Sequence, residues 1–247
     1  MMLLGKRVLL IGRNLDDLIP HIPNGVELVS DNPDFIICHG GDGTLLGAER
    51  SYPGIPKLAL RDSRSNPKCP QHAVEKVLAM DLKPKKFMKM EVVDSKGRVV
   101  VGVNDIVLHN ADPCSAIRYH IWIDGEPFLQ QIVGDGLVAS TPFGSSAYYK
   151  SITGSTFNVG FGIAFNNSTE PMNHLVLSDE STVEVMVTRG PAILFADNDP
   201  SRLNLSSGDK FTIRPSKDSA TFYGIDIFRC LDCYVLRRKF WIEHWEK

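Results

Sequence analysis

One stretch constrains this chain more than any other. Phe35-Ile36-Ile37-Cys38-His39-Gly40-Gly41-Asp42-Gly43-Thr44 is a short apolar run that ends in three glycines set around one carboxylate. Phe35 to Cys38 read as a buried strand, and Thr44 to Arg50 as the helix that follows. The glycines then occupy a strand-to-helix turn. Lacking a Cβ and tolerating positive φ, they let backbone N–H groups come close to a phosphate. A carboxylate there repels phosphate unless it accepts a proton from a hydroxyl or faces a metal ion, so Asp42 reads as a chemical group. The plain alternative is a tight turn carrying a solvated Asp.

Around this turn the first part of the chain alternates strands and helices. Arg7 to Gly12 and Val26 to Val29 read as strands, Leu15 to Ile19 as a short helix, and Ile55 to Leu60 as a strand after Pro53-Gly54. Pro70 opens a helix with Val74, Val77 and Leu78 on one face. Such alternation implies a parallel sheet covered on both faces, with ligands outside the carboxyl ends of the strands, where Asp42 lies. From about Phe87 the period changes to two. Met90 to Asp94, a Ser95-Lys96-Gly97 turn and Arg98 to Val103 form a hairpin, and Tyr119 to Ile123 run into an Asp124-Gly125 turn. Val183 to Val187 and Lys210 to Arg214 repeat the alternation, and Ser207-Gly208-Asp209 is a turn. The expected division is an α/β domain over residues 1–86 and a β-sandwich domain over 87–233. A last helix, at about 234–247, pairs Leu236 with Phe240 and Trp241 with Trp245.

Composition excludes several partners. A chain of 247 residues with 43% hydrophobic and 23% charged residues has material for a sizeable core, and its formal charge of −2 gives no footprint for nucleic acid or an anionic membrane. No apolar run approaches a membrane span, and Lys6 and Arg7 lie inside the first apolar stretch, unlike a signal peptide. A cytoplasmic protein is expected. Five scattered cysteines in such a chain are expected to be reduced. Cys230-Leu231-Asp232-Cys233 is formally a C-x-x-C, but with no second pair and no histidine read at ligand spacing, no metal site is indicated.

Gly40-Gly41-Asp42-Gly43-Thr44 resembles the signature shared by NAD kinases, diacylglycerol and sphingosine kinases and, more loosely, phosphofructokinases. A second stretch, Gly134-Asp135-Gly136-Leu137-Val138-Ala139-Ser140-Thr141-Pro142-Phe143-Gly144-Ser145-Ser146-Ala147-Tyr148, looks like the longer NAD-kinase motif. Asn104-Asp105 stands between them, where that family carries an Asn-Glu or Asn-Asp pair. The resemblance implies an N-terminal α/β domain and a C-terminal β-sandwich, with the last segment returning to the first domain and the active site in the cleft between the two. It also implies phosphoryl transfer from ATP, or from polyphosphate, to the 2′-hydroxyl of the adenosine ribose of NAD, giving NADP. Mg²⁺ would arrive on the donor, and positioning and electrostatics would supply most of the catalysis.

On that resemblance Asp42 is the base for the hydroxyl, and Gly40, Gly41, Gly43 and Thr44 hold phosphates. Asn104 and Asp105 are expected on the adenine and ribose, Asp135 on the nicotinamide amide, and Ser146, Ala147, Tyr148 and Ser151 along the dinucleotide. A homo-oligomer is implied as well. Two departures stand out: Ala59-Leu60-Arg61-Asp62-Ser63-Arg64-Ser65 replaces the family's glycine-rich segment, and Phe143 and Ser146 stand where many members carry smaller residues and threonine. A Walker-type P-loop and the protein-kinase motifs are missing, and the Rossmann fingerprint is poorly copied. The competing readings are a lipid or sphingoid kinase of the same superfamily and a non-catalytic NAD(P)-binding regulator.

Overall fold

The computed structural model describes residues 3–62, 64, 69–230 and 232. The helix expected near 234–247 lies outside the described residues, as does Cys233. The described residues form two compact units, one of those before 87 together with those from 220 onward, the other of residues 87–219. Residues 220–230 thus pack with the first unit, whereas the sequence reading assigns them to the second.

In the first unit, β1 (Arg7–Gly12), β2 (Glu27–Leu28), β3 (Phe35–Gly40) and β4 (Lys57–Arg61) form a parallel sheet in the order β2-β1-β3-β4. The central strand β3 is buried along its whole length, as a strand covered on both faces must be. Phe35 and Ile37 pack with Val8, Leu58 and Leu60, and with Val74, Val77 and Leu78 of α2 (Val74–Ala79). The other helix, α1 (Asp42–Ser51), packs on β1, β3 and β4. Residues 15–21 form two 3-10 turns around Pro20, which has no N–H to continue an α-helical ladder, and Pro70–His72 form another before α2 begins.

A buried ion pair sets the link from α1 to β4. Lys57 Nζ, fully buried, donates to Glu49 Oε2 at 2.5 Å and to the carbonyls of Tyr52 and Ile55 at 2.7 Å each. Glu49 Oε1 accepts the Gly54 N–H at 3.2 Å. Both charges therefore have hydrogen-bond partners that offset their desolvation.

The second unit continues through β5 (Lys85–Asp94), β6 (Val99–Gly102), β7 (Asp105–Asn110), β8 (Ile117–Ile123), β9 (Glu126–Gly134), β10 (Gly136–Ser140), α3 (Tyr148–Thr153), β11 (Phe161–Asn166), β12 (His174–Leu177), β13 (Val183–Arg189), β14 (Ala192–Ala196), β15 (Leu203–Leu205) and β16 (Lys210–Tyr223). Two sheets result. One is antiparallel with the order β12-β11-β10-β7-β14-β15; the other runs β16-β13-β8-β9, with the β5-β6 hairpin joined through β16. The core between them holds Ile106 and Leu108 of β7, Leu137 and Ala139 of β10, Tyr119 and Ile121 of β8, and Val183 and Val185 of β13. The alternate residues Val107 and Val138 face the other way and pack with Tyr149 of α3. Helix α3 thus covers the outer face of β7 and β10. Beyond β16, whose last residues pair in parallel with Lys57 and Leu58, comes the short α4 (Ile225–Phe228).

The architecture has the expected class: a parallel α/β unit followed by an antiparallel β-sandwich. Among the described residues no helix is long and apolar enough to cross a membrane.

Candidate functional site

The glycine turn is tighter than its sequence implies. Helix α1 begins at Asp42 rather than Thr44, with Gly41 as its N-cap at φ −107° and ψ −174°, an extended conformation open to any residue. Positive φ is therefore not what Gly41 supplies. At Gly40 the requirement is space, since a Cβ there would lie 2.3 Å from Thr44 Oγ1. Thr44 thus packs against the strand end. Asp42 becomes the first helical residue, where the helix dipole favours a negative charge.

Two arginines bind that charge. Arg229 Nε and Nη2 lie 3.0 and 2.8 Å from Asp42 Oδ1, and Arg61 Nη2 lies 3.2 Å from Oδ2. Burial alone would raise the Asp42 carboxyl, but the charges and hydrogen bonds of Arg229 and Arg61 outweigh it and hold the group below the usual carboxylate range. Arg61 is fixed in turn: its Nε donates to the Phe228 carbonyl at 2.8 Å, and its guanidinium stacks 3.7 Å from the centre of the Phe228 ring. The carboxylate nevertheless remains 40% exposed, within reach of a ligand. Neither arginine was among the candidate residues. Arg61 opens the segment that departs from the family pattern, and Arg229 lies far along the chain with no motif around it.

The ends of β1 and β4, on either side of β3, are tied together as well. Asn14, just after β1, donates to both oxygens of Asp62 at 3.1 Å, and Asp62 accepts the Arg64 N–H at 3.0 Å.

In the second unit the two later motifs are built into one another. Thr141 Oγ1 donates to the Val103 carbonyl at 2.6 Å, and Thr141 N–H donates to the Asn104 carbonyl at 2.9 Å. A Cβ at Gly144 would lie 2.1 Å from the Asn104 carbonyl oxygen, so only glycine fits there. Asp197 closes the turn from the other side, its carboxylate accepting the N–H groups of Val103, Asn104 and Asp105 at 2.9, 2.7 and 3.1 Å. Asn104 Oδ1 is buried with no hydrogen-bond partner in the protein. An orphaned acceptor of this kind suits a ligand donor. Asp105 is buried beside Asp197, and both burial and that neighbouring charge push its carboxyl up to about 7.

Tyr148, at the start of α3, is half-buried. Burial raises its phenol, and the charges of Asp105 and Asp135 raise it further. Its hydroxyl accepts from Asn166 Nδ2 at 3.1 Å. Asp135 is a single residue between β9 and β10 at the crossing from one sheet to the other, and its Oδ2 accepts from Asn167 Nδ2 at 3.1 Å. Ser146 and Ala147 are exposed just ahead of α3, and Ser151 returns its hydroxyl to the Tyr148 carbonyl at 2.7 Å. The second unit therefore gathers Asp105, Asp135 and Tyr148 with Asn166, which the motif reading does not include.

One cluster runs against expectation. Cys69, His72 and Cys230 offer ligand atoms that lie within 4.8 Å of one another. Two of the three ligands come from Cys69-Pro70-Gln71-His72, a C-x-x-H that supplies a histidine at ligand spacing, against the expectation of none.

Comparison with known proteins points to one family. Residues 103–225 match the ATP-NAD kinase C-terminal domain. An NAD kinase of Methanosphaera stadtmanae is 31% identical over 53% of this chain and 50% of its own length. An NAD kinase of Alcanivorax borkumensis is 30% identical over 69% of this chain and 64% of its own length. The chain thus spans between half and two thirds of these curated relatives. An NAD kinase from Archaeoglobus fulgidus, solved in complex with ATP, superposes with a TM-score of 0.66 over 91% of this chain and 96% of its own, at 22% identity, and so shares the fold. With the matched domain carrying Asn104, Asp105 and the Gly134 to Tyr148 motif, and the glycine turn of the first unit standing ahead of it, the chain belongs to the NAD kinase family.

Proposed function

We propose that the protein is an NAD kinase, transferring a phosphoryl group from ATP to the 2′-hydroxyl of the adenosine ribose of NAD to give NADP. The observation that carries the proposal is the Asp42 carboxylate at the start of α1 with Arg61 and Arg229 on its two oxygens. Two guanidiniums and one carboxylate leave a net positive charge, which suits a polyanionic donor. When donor phosphates bind, the arginines can pair with them and release Asp42 to the incoming hydroxyl. The new bond joins the ribose oxygen to the γ-phosphorus, the bond from that phosphorus to the leaving phosphate breaks, and the hydroxyl proton passes to Asp42. A carboxyl held below the usual range keeps its charge and orients the hydroxyl, taking the proton as the P–O bond forms.

Gly40, Gly41, Gly43 and Thr44 belong to this reading as the phosphate-facing turn. Asn104 and Asp105 hold the adenosine moiety, Asp135 the nicotinamide amide, and Ser146, Ala147, Tyr148 and Ser151 the rest of the dinucleotide. The orphaned Asn104 Oδ1 supports the adenosine assignment. Mg²⁺ would neutralise the charge of the donor phosphates. Next to Asp42 the protein offers one carboxylate among guanidiniums, which fits a cation carried mostly by phosphate and water. Polyphosphate as an alternative donor, a homo-oligomer that covers sheet edges and a cytoplasmic location complete the proposal.

The test is to incubate the purified protein with NAD, ATP and Mg²⁺ and to detect NADP with an NADP-specific dehydrogenase. Formation of NADP by the wild type and its loss in Asp42→Asn are expected. A wild type that binds NAD yet makes no NADP from ATP or polyphosphate would overturn the reading. Light scattering showing only monomer at micromolar concentration would reject the oligomer.

A further inference from the structure

We infer that Cys69, His72 and Cys230 form a structural zinc site that ties the segment following α4 to the 3-10 turn ahead of α2. The inference stands apart from the reading of phosphoryl transfer.

Local structure brings the ligands into register. Cys69 caps the 3-10 turn Pro70–His72, and His72 N–H donates to the Cys69 carbonyl at 3.0 Å. In a 3-10 turn residues i and i+3 eclipse, so Cys69 and His72 project to the same side. Cys230 follows α4, its N–H donating to the Ile227 carbonyl at 3.1 Å. The two segments are 161 residues apart in sequence, yet Cys69 Sγ and Cys230 Sγ lie 3.9 Å apart and His72 Nε2 lies 3.2 Å from Cys230 Sγ. Tetrahedral zinc, with its bonds of about 2.3 Å to sulfur and 2.0–2.1 Å to nitrogen, separates two sulfurs by about 3.8 Å and a sulfur from a nitrogen by about 3.6 Å. The sulfur-sulfur separation matches that of two ligands on one ion, while the 3.2 Å from His72 Nε2 to sulfur is the closer approach of a hydrogen bond that a bound metal would open. A sulfur-sulfur distance of 3.9 Å is far from a disulfide.

Donor chemistry selects the ion, since two thiolates and an imidazole are soft and borderline ligands that favour zinc over magnesium or calcium. Cys69 and His72 are buried and Cys230 is half-buried, as expected of a structural rather than a catalytic metal. Beside the cluster, Gln71 Nε2 donates to Asp232 Oδ2 at 2.6 Å, a second tie between the same two segments.

Cys230 directly follows Arg229. A metal that pins Cys230 therefore also holds the neighbouring arginine in its contact with Asp42.

Untagged protein from zinc-supplemented culture should contain about one zinc per chain by elemental analysis, and Cys69→Ser and His72→Ala should lose nearly all of it. Should these variants fail to fold, the wild type alone still decides. Stripping with a chelator should lower its melting temperature by several degrees, with recovery on adding Zn²⁺ but not Mg²⁺, and cobalt should give the visible bands of a tetrahedral thiolate complex. Metal-free wild type that takes up neither zinc nor cobalt, or folded variants that keep the full zinc content, would overturn the inference.

Discussion

Arg229 meets Asp42 across 187 residues of sequence, with its Nε and Nη2 both directed at Oδ1. Arg61 meets the other oxygen from the end of β4. One guanidinium comes from the parallel sheet and the other from just beyond α4, and only folding of the first unit unites them with the glycine turn.

If these arginines serve the donor, Arg61→Ala and Arg229→Ala should each raise the ATP KM far more than the NAD KM. Loss of a charge-assisted hydrogen bond costs about 1.5–3 kcal/mol, roughly ten- to a hundredfold. The pH profile supplies an independent readout. Removing a positive charge raises the Asp42 carboxyl toward its ordinary value, so the acidic limb of kcat/KM should move to higher pH. An unmoved limb together with an unchanged ATP KM would remove both residues from the site.

The Lys57–Glu49 pair predicts a stability effect that a charge count alone would miss. Lys57→Met leaves Glu49 buried without its ammonium partner, and breaking such a pair costs about 3–5 kcal/mol. The double variant with Glu49→Leu should recover a large part of the loss. Urea unfolding of the single and double variants checks this, and a single variant as stable as wild type would contradict it.

Asp105 predicts a pH dependence. Its folded carboxyl titrates near 7, above its unfolded value, so between those values the folded state binds the extra proton. Stability from this group is present at low pH and falls as pH rises toward 7. Asp105→Asn abolishes that slope, and its melting temperature relative to wild type should be higher at pH 8 than at pH 5. A constant offset would place the cost elsewhere than in Asp105 ionisation. In the proposed role the same change should also weaken NAD binding.

These examples mark how far the sequence could be read. Period-two alternation and the Asp124-Gly125 turn were visible because each strand has a buried and an open side or a turn demanding positive φ, as at Asp124 and Gly125. Contiguous motifs were visible for the same local reason. Arg61 and Arg229 were not, because a guanidinium becomes part of a site only through a contact 19 or 187 residues distant. Asp197 escaped notice likewise, its cap on Val103, Asn104 and Asp105 depending on the neighbouring strand. Thr141 and Gly144 lie inside the Gly134 to Tyr148 motif, but their packing on Asn104 appears only in three dimensions. The Cys69-x-x-His72 spacing was legible in principle, and needed Cys230 as its partner to carry meaning.

The strongest test of the proposed chemistry is Asp42→Asn. Asparagine keeps the shape and position at the start of α1 but cannot accept the ribose hydroxyl proton, so kcat should fall by roughly 10²–10⁴, the usual worth of general-base catalysis. The substitution also removes the one negative charge that offsets part of the charge of Arg61 and Arg229. Both guanidiniums should then attract donor phosphates more strongly, and ATP should bind as tightly as to wild type or tighter. NAD binding measured directly should change little, since the residues proposed for the acceptor lie in the second unit. The combination of a large kcat loss with undiminished ATP affinity separates a base from a structural residue, whose removal would weaken both. A folded Asp42→Asn protein with kcat close to wild type would instead leave the carboxylate as a mere counter-ion to its two arginines.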